Sequence, residues 1–218
     1  MRKTKKLDLQ DPSSQDVKSL LVSAFQRRIP SGQRIIQRAT EQALGDNSGD
    51  PNWIKANFSD LIERIQISAY DEYLKAEDAV GQEIMAEVFL PIISADRKAD
   101  DALRLVFSHF KALDKFYLSL TQSRRARAGS AFEYVLRDLF GRLQYPFTRQ
   151  ALKDGTPDFV MPSIEHYSRH AADCIIFTAK RTLRERWRQI VTEGKRGLGF
   201  FLATIDGTVS ERDLEEMN

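Results

Sequence analysis

Residues 157–161 read Pro-Asp-Phe-Val-Met, and residues 173–180 read Asp-Cys-Ile-Ile-Phe-Thr-Ala-Lys. Both runs are short, apolar and rich in β-branched or aromatic residues, a pattern that indicates buried strands. A third run of this kind covers residues 198–205, and a helical pattern at 183–191 separates it from the second run. Strands that alternate with helices predict an α/β (α+β) core in this part of the chain.

Helical spacing dominates the residues that precede these strands. Apolar side chains recur at three- and four-residue intervals through 17–29, 58–74, 95–120 and 123–143. We expect 95–120 to be one long helix. Its aromatic stripe is predicted to lie in the core rather than to form a surface that stacks bases.

Composition limits the class of protein. The chain has 218 residues, of which 42% are hydrophobic, and this is enough for a sizeable core. No apolar run is long enough to cross a membrane, and no apolar signal core follows the charged N-terminus. We therefore expect a cytoplasmic protein with no membrane partner. The single cysteine, Cys174, excludes an intramolecular disulfide framework and cysteine-based zinc sites, and its apolar neighbours predict a core residue.

Charge is unevenly distributed along the chain, although the net charge is only +2. Residues 121–200 carry 15 Lys and Arg against 8 Asp and Glu, whereas residues 1–120 carry 17 against 18. The basic excess suits a polyanionic partner such as DNA. A solvated basic face explains the same numbers equally well.

Asp158, Lys180 and Glu193 form a candidate catalytic set. Phosphodiester hydrolysis needs a divalent cation, an activated water and a positive group near the scissile phosphate, and Mg²⁺ prefers carboxylate oxygens. Asp158 heads one predicted strand and Lys180 ends the next, so their side chains converge if the two strands are neighbours. Glu133, on the predicted helix 123–143, offers a further carboxylate. Taken alone, this spacing is a weak signal, because an acid after proline is common in turns.

Arg184, Glu185 and Arg186 follow the lysine within a few residues. Arginine forms paired hydrogen bonds with guanine, and glutamate accepts one from cytosine. The triplet can therefore read two adjacent G·C pairs in the major groove. An ordinary charged helix surface has the same composition. Trp187 is expected to pack this helix against the sheet.

These motifs together resemble the PD-(D/E)xK nuclease core, and more narrowly the type II restriction endonucleases of the EcoRII-like and SsoII-like group. In that group Ser or Thr replaces the usual acid two residues before the lysine, and the acid comes from the following helix instead. Thr178 and Glu193 match these two features, and Glu133 matches an acid on the upstream helix. The resemblance covers roughly residues 120–210.

The resemblance implies a PD-(D/E)xK restriction-endonuclease-like core with a mixed central sheet flanked by helices. It implies Mg²⁺ bound by Asp158 and Glu193. Lys180 would orient the attacking water and stabilise the developing charge. Glu133 would support the site or hold a second metal, and Thr178 would be a supporting group rather than a ligand.

The resemblance also implies a DNA site with a CC…GG core, CCNGG or CCWGG, read by residues 184–186 and by Gln122 in the minor groove. Relatives flip the central nucleotides and stack them on an aromatic side chain. Trp53 is the candidate for that role, and a core position is its alternative. The implied partners are double-stranded DNA, a second copy in a homodimer, and a cognate DNA cytosine methyltransferase.

The change of pattern predicts two parts of the chain. The first is a helical N-terminal region at 1–90, for DNA contact or dimerisation, and the second is the catalytic core at 91–218. Because this core ends soon after its third strand, we expect it to be either truncated or compact. Three alternatives stay open: a DNA-binding protein of this fold that does not cut, a structure-specific repair nuclease, and a helical scaffold whose motif matches are accidental. The first would bind the site in Ca²⁺ without cutting, the second would ignore its sequence, and the third would show no salt-sensitive DNA binding.

Overall fold

The computed structural model describes residues 14–93, 97–149, 158–182 and 200–209. Seven α-helices lie within these ranges: α1 Ser14–Arg28, α2 Gly32–Leu44, α3 Pro51–Ala56, α4 Phe58–Phe89, α5 Ala99–Ser108, α6 Phe110–Arg142 and α7 Ile164–Arg169. Short 3₁₀ turns occupy Gly45–Gly49, Leu90–Ile92 and Ala171–Asp173.

A mixed sheet follows the long helices. Its described strands are β1 Thr148–Arg149, β2 Phe159–Met161, β3 Ile175–Lys180 and β4 Phe200–Thr204, and their spatial order is the same as their order in the chain. The pairs β1–β2 and β2–β3 are antiparallel, whereas β3–β4 is parallel. All three predicted strands are present, and the predicted mixed sheet is confirmed.

The chain forms two compact units that interleave along the sequence. One unit, here the helical unit, comprises the residues up to Ile35 together with Ser68–Arg127. The other, here the sheet unit, comprises Ile36–Ile67 together with the residues from Ala128 onward, and it contains all four strands. The division of the chain at residue 90 stays a prediction.

Phe140 organises the aromatic core of the sheet unit. Its ring lies 5.6 Å from both Phe159 of β2 and Phe177 of β3, in edge-to-face geometry, and it stacks on Phe58 of α4 at 6.0 Å. Each such aromatic pair contributes about 0.5–1.5 kcal/mol beyond the apolar area that it buries. The last turns of α6 are therefore fixed against the strands that carry the candidate catalytic residues.

The helical unit is held by apolar contacts and by an ion pair whose carboxylate is buried. Phe25 of α1 meets Phe116 of α6 edge to face at 6.0 Å. Glu77 of α4 is buried and accepts a hydrogen bond from Arg124 Nε at 2.8 Å. Arg127 lies over the ring of Tyr73 at 5.0 Å, and it also donates to the Pro30 carbonyl at 2.9 Å.

The prediction that residues 95–120 form one long helix is wrong. The chain leaves helical geometry at His109, where α5 ends, and a new helix, α6, continues through Arg142. Phe116 and Leu120 of the aromatic stripe are buried as expected, whereas Leu103, Phe107, Phe110 and Tyr117 are exposed. Helical spacing shows that a face is apolar, but it does not show what covers that face.

Two of the short helices are capped by side chains. Ser163 accepts a hydrogen bond from the His166 backbone amide at 3.1 Å and starts α7 within 162–172. Asp50 caps α3 in the same way and Pro51 occupies its first turn.

Among the described helices, none has both the length and the apolar character needed to cross a membrane.

Candidate active site

Asp158 and Lys180 meet at neighbouring strand ends, as the sequence predicts. Phe159 pairs with Phe177 in the antiparallel β2–β3 register, so Asp158 lies opposite Thr178 and close to the end of β3. Asp158 Oδ2 accepts a hydrogen bond from the Ala179 backbone amide at 2.7 Å and lies 3.4 Å from Lys180 Nζ. The pairing of the two strands therefore brings the acid and the lysine together.

The Asp158 carboxylate is buried, and its residue is only 8% exposed. Burial of a carboxylate is costly unless the charge is paired and hydrogen-bonded, and here Oδ2 has both kinds of partner. Within the described part of the chain, these contacts engage Oδ2 alone. These contacts therefore orient the carboxylate within the site.

Glu133 lies near this pair from the side of α6. Its half-buried carboxylate is 3.5 Å from Arg149 Nη2 on β1. Burial raises the pKa of Glu133, and the negative charge of Asp158 raises this pKa further, whereas Arg149 and Lys180 lower it. One site of the sheet unit therefore contains four charged side chains that influence one another electrostatically: Glu133, Asp158, Arg149 and Lys180.

Arg149 is the member of this group that sequence reasoning missed. Its guanidinium carbon lies 5.3 Å from the centre of the Tyr134 ring, and that of Arg137 lies 5.0 Å from the same centre. β1 is only two residues long, which is too short to leave a periodic signal. An isolated arginine in a short stretch carries no motif that could have predicted its ion pair with Glu133.

Two further side chains on or beside β3 occupy the positions that the sequence suggested. Thr178 is buried on β3, next in sequence to the backbone amide that binds Asp158. Cys174 is a buried free cysteine, and burial raises the pKa of its thiol. Because a thiolate is the reactive form, Cys174 is suited to packing rather than to nucleophilic chemistry.

The remaining predicted site residues fall into two groups. Five of them lie outside the described residues: Arg184, Glu185, Arg186, Trp187 and Glu193. Gln122 is exposed on α6 in the helical unit, and Trp53 is half-buried in the first turn of α3 in the sheet unit. Their roles in reading or stacking bases stay predictions.

The described carboxylates fit a hard divalent cation. Mg²⁺ commonly keeps several waters and takes one or two carboxylates, together with substrate phosphates. Asp158 supplies one carboxylate, and Glu133 lies near enough for the charge of Asp158 to raise its pKa. Across the ranges that the structure describes, no group of three or more His, Cys, Asp or Glu side chains could hold a metal. The third predicted acid, Glu193, is outside those ranges.

The sequence matches the family described as EcoRII C terminal over residues 94–218. It is 28% identical to the type II restriction enzyme SsoII of Shigella sonnei over 78% of this chain and 60% of that enzyme. It is also 29% identical to the type II restriction enzyme EcoRII of Escherichia coli, over 92% of this chain and 45% of that enzyme. The chain thus spans about half the length of the curated relatives that it matches.

Two solved structures share the fold. Metal-depleted Ecl18kI in complex with uncleaved DNA superposes with a TM-score of 0.73 at 25% identity, covering 94% of this chain and 72% of that chain. A restriction endonuclease PspGI-substrate DNA complex superposes with a TM-score of 0.60 at 20% identity, covering 88% and 74%. The fold is therefore that of the PD-(D/E)xK restriction endonucleases, with a helical N-terminal region, as predicted.

Proposed function

Because the chain belongs to the EcoRII C-terminal family, we propose that it is a Mg²⁺-dependent type II restriction endonuclease that cuts both strands of DNA. One observation carries the proposal: a buried aspartate and a lysine in contact at the ends of neighbouring strands, beside a second carboxylate. Metal-assisted hydrolysis of a phosphodiester needs carboxylates that hold a divalent cation and a positive group near the scissile phosphate.

In the proposed reaction, Asp158 and Glu193 hold Mg²⁺, which supplies Lewis acidity at the scissile phosphate. The Ala179 amide and Lys180 contact Asp158 Oδ2 and so fix the orientation of this carboxylate. Lys180 places its positive charge where the attacking water and the developing oxyanion lie. Glu133 orients groups around the cation, and Thr178 supports the strand from within the core.

The proposed site has a CC…GG core, either CCNGG or CCWGG. Arg184, Glu185 and Arg186 read its G·C pairs from the major groove, and Gln122 contacts the minor groove. Trp53 stacks on a flipped central nucleotide, a role that its half-exposed position permits. Support comes from the relatives, which are named restriction enzymes, and from DNA in the complexes of similar structures.

The proposed partners are double-stranded DNA, a second copy of the chain, and a cognate DNA cytosine methyltransferase that protects the host genome. A two-fold dimer suits a palindromic site. Several apolar side chains of α5 and α6 in the helical unit are exposed, which supports a second copy as the partner of this face: Leu103, Phe107, Phe110, Tyr117 and Leu118.

A Mg²⁺-dependent digest tests the function directly. DNA with scattered CCNGG sites is incubated with the wild type, with Lys180→Ala and with Lys111→Ala, in which an exposed lysine of α6 is removed. We expect discrete fragments from the wild type and from Lys111→Ala. Lys180→Ala should cut at least about a hundredfold more slowly, because its charge acts on the reacting phosphate.

The other outcomes separate the alternatives. Binding of the same DNA in Ca²⁺ with no cutting in Mg²⁺ would indicate a protein that reads DNA but does not cleave it. Cutting that ignores CCNGG and follows DNA structure would indicate a repair-type nuclease. Neither binding nor cutting would contradict the proposed function altogether.

A further inference from the structure

Arg149 is held in a defined place beside the candidate metal site. It is the last residue of β1 and pairs with Phe159 of β2, the residue that directly follows Asp158. One face of its guanidinium lies over the Tyr134 ring, while Nη2 approaches Glu133 Oε2 at 3.5 Å. The side chain is 30% exposed and that of Glu133 only 20%. This environment limits the positions that the charged group can take.

The site balances two acids with two cations. Asp158 is paired with Lys180, and Glu133 is paired with Arg149. Glu133 and Asp158 would otherwise repel each other in a half-buried setting, and the raised pKa of Glu133 reflects burial and this repulsion. A carboxylate already neutralised by a fixed guanidinium attracts a second divalent cation less strongly than a free one.

We propose that Arg149 is a positioning residue that neutralises and orients Glu133, so that Glu133 organises the site without binding a second metal ion. The inference rests on the metal site of the proposed function and deepens it. It chooses between the two roles that the sequence left open for Glu133. Arginine suits this task because its planar, permanently charged fork stacks on a ring while donating hydrogen bonds to a carboxylate.

The test measures binding of Mn²⁺ alone, without DNA, by electron paramagnetic resonance. Arg149→Gln removes the charge beside Glu133, so the Kd for Mn²⁺ should fall about tenfold, the order expected for one nearby charge in a half-exposed site. Arg137→Gln is the matched control, because Arg137 contacts the same ring and, among the described residues, forms no ion pair with a carboxylate. This control should leave the Kd within about twofold of the wild type.

A second variant removes the ion pair as a neutral unit. Glu133→Gln combined with Arg149→Gln leaves the net charge unchanged, so the Kd for Mn²⁺ should stay within about threefold of the wild type. If Glu133 were a metal ligand, this double variant would lose at least about tenfold in affinity, because the cation would lose a charged carboxylate ligand. That loss, or an unchanged or weaker affinity in Arg149→Gln, would overturn the inference. An equal gain in Arg137→Gln would also overturn it, because the effect would then be one of general charge.

Asp158→Asn separates this inference from the function on which it rests. If Asp158→Asn binds Mn²⁺ as tightly as the wild type, the proposed metal site itself is wrong, and the inference fails with it. If Asp158→Asn weakens binding and Arg149→Gln changes nothing, the metal site stands and only the role of Arg149 is wrong. Both results are independent of whether the protein cuts DNA.

Discussion

Tyr73 shows how strongly burial, with a charged neighbour, can change the pKa of an ordinary side chain. Burial raises the pKa of its phenol, and Glu77 raises it further, to about 12. Arg127 acts in the opposite direction from above the ring but does not cancel these effects. The folded protein therefore retains this proton at a pH where an unfolded tyrosine releases it.

Alkaline titration tests this prediction at Tyr73. The proton stabilises the folded state fully below about pH 10, and this contribution is lost as the pH rises from 10 to 12. In a tyrosinate absorbance titration, Tyr73→Phe should lack the last step that the wild type shows. Its stability should also fall less steeply over that interval, by up to about 1.4 kcal/mol per pH unit. Tyr117→Phe, which changes an exposed tyrosine, is the control and should keep the late step.

Single residues also show how far the sequence predicts the site. Asp158 and Lys180 could be placed together because two short apolar runs imply neighbouring strands, and the structure brings the pair into contact. Arg149 could not be found in this way. Its partners Glu133 and Tyr134 belong to a helix, and only tertiary packing brings that helix to the strand. Spacing along a chain predicts contacts within and between regular elements, but not the ion pairs formed when they pack.

At the scale of elements, the cap of α3 matters because this short helix carries Trp53. Asp50 Oδ1 accepts hydrogen bonds from the backbone amides of Asn52 and Trp53, at 2.9 and 3.0 Å. A six-residue helix has little stability of its own, so its first turn depends on this carboxylate. The position of the indole is therefore set partly by a single side chain outside the helix.

Removal of this cap gives a measurable loss. Asp50→Ala should lower the free energy of unfolding by about 1 kcal/mol, because two amides lose their acceptor. Urea unfolding followed by circular dichroism measures this change. Asp46→Ala, in the exposed 3₁₀ turn just before α3, removes a similar charge and should change stability by less than about 0.5 kcal/mol. Equal losses in the two variants would contradict a capping role for Asp50.

Elements differ in how well the sequence predicts them. The strands β2, β3 and β4 were expected because each is an apolar run with turn signals beside it. The two-residue β1 and the six-residue α7 were missed, since neither is long enough to show a period. The break at His109 was also missed, because the helical spacing on its two sides is nearly continuous.

At the scale of the whole molecule, the division into units was beyond sequence reasoning. The helical unit and the sheet unit each combine segments that are distant in the chain. Local pattern cannot report such pairings, because they depend on contacts between residues far apart in sequence. For the same reason, the sequence did not predict that Phe107 and Phe110 of the helical unit are exposed.

The proposed homodimer gives a prediction for this apolar face. Phe107→Glu should raise the dimer Kd at least about tenfold, since burial of a phenylalanine is worth about 1.5–3 kcal/mol and a two-fold interface loses it in both copies. Sedimentation velocity over a range of protein concentrations measures the change. Ile67→Glu, at an exposed apolar residue of the sheet unit, is the control and should leave the Kd unchanged. A wild type that stays monomeric would contradict the dimer.

The hydrogen bond from the Ala179 amide to Asp158 has a consequence for which substitutions this chain can tolerate. The donor belongs to the main chain, so no substitution at position 179 other than proline can delete it. The buried side chain of Ala179 is limited by its size, not by any polar role. Random mutation can therefore change residue 179 to another small one without detaching the acid. Most substitutions at position 179 therefore leave the main-chain donor to Asp158 in place, whereas every substitution of Arg149 removes the guanidinium that holds Glu133.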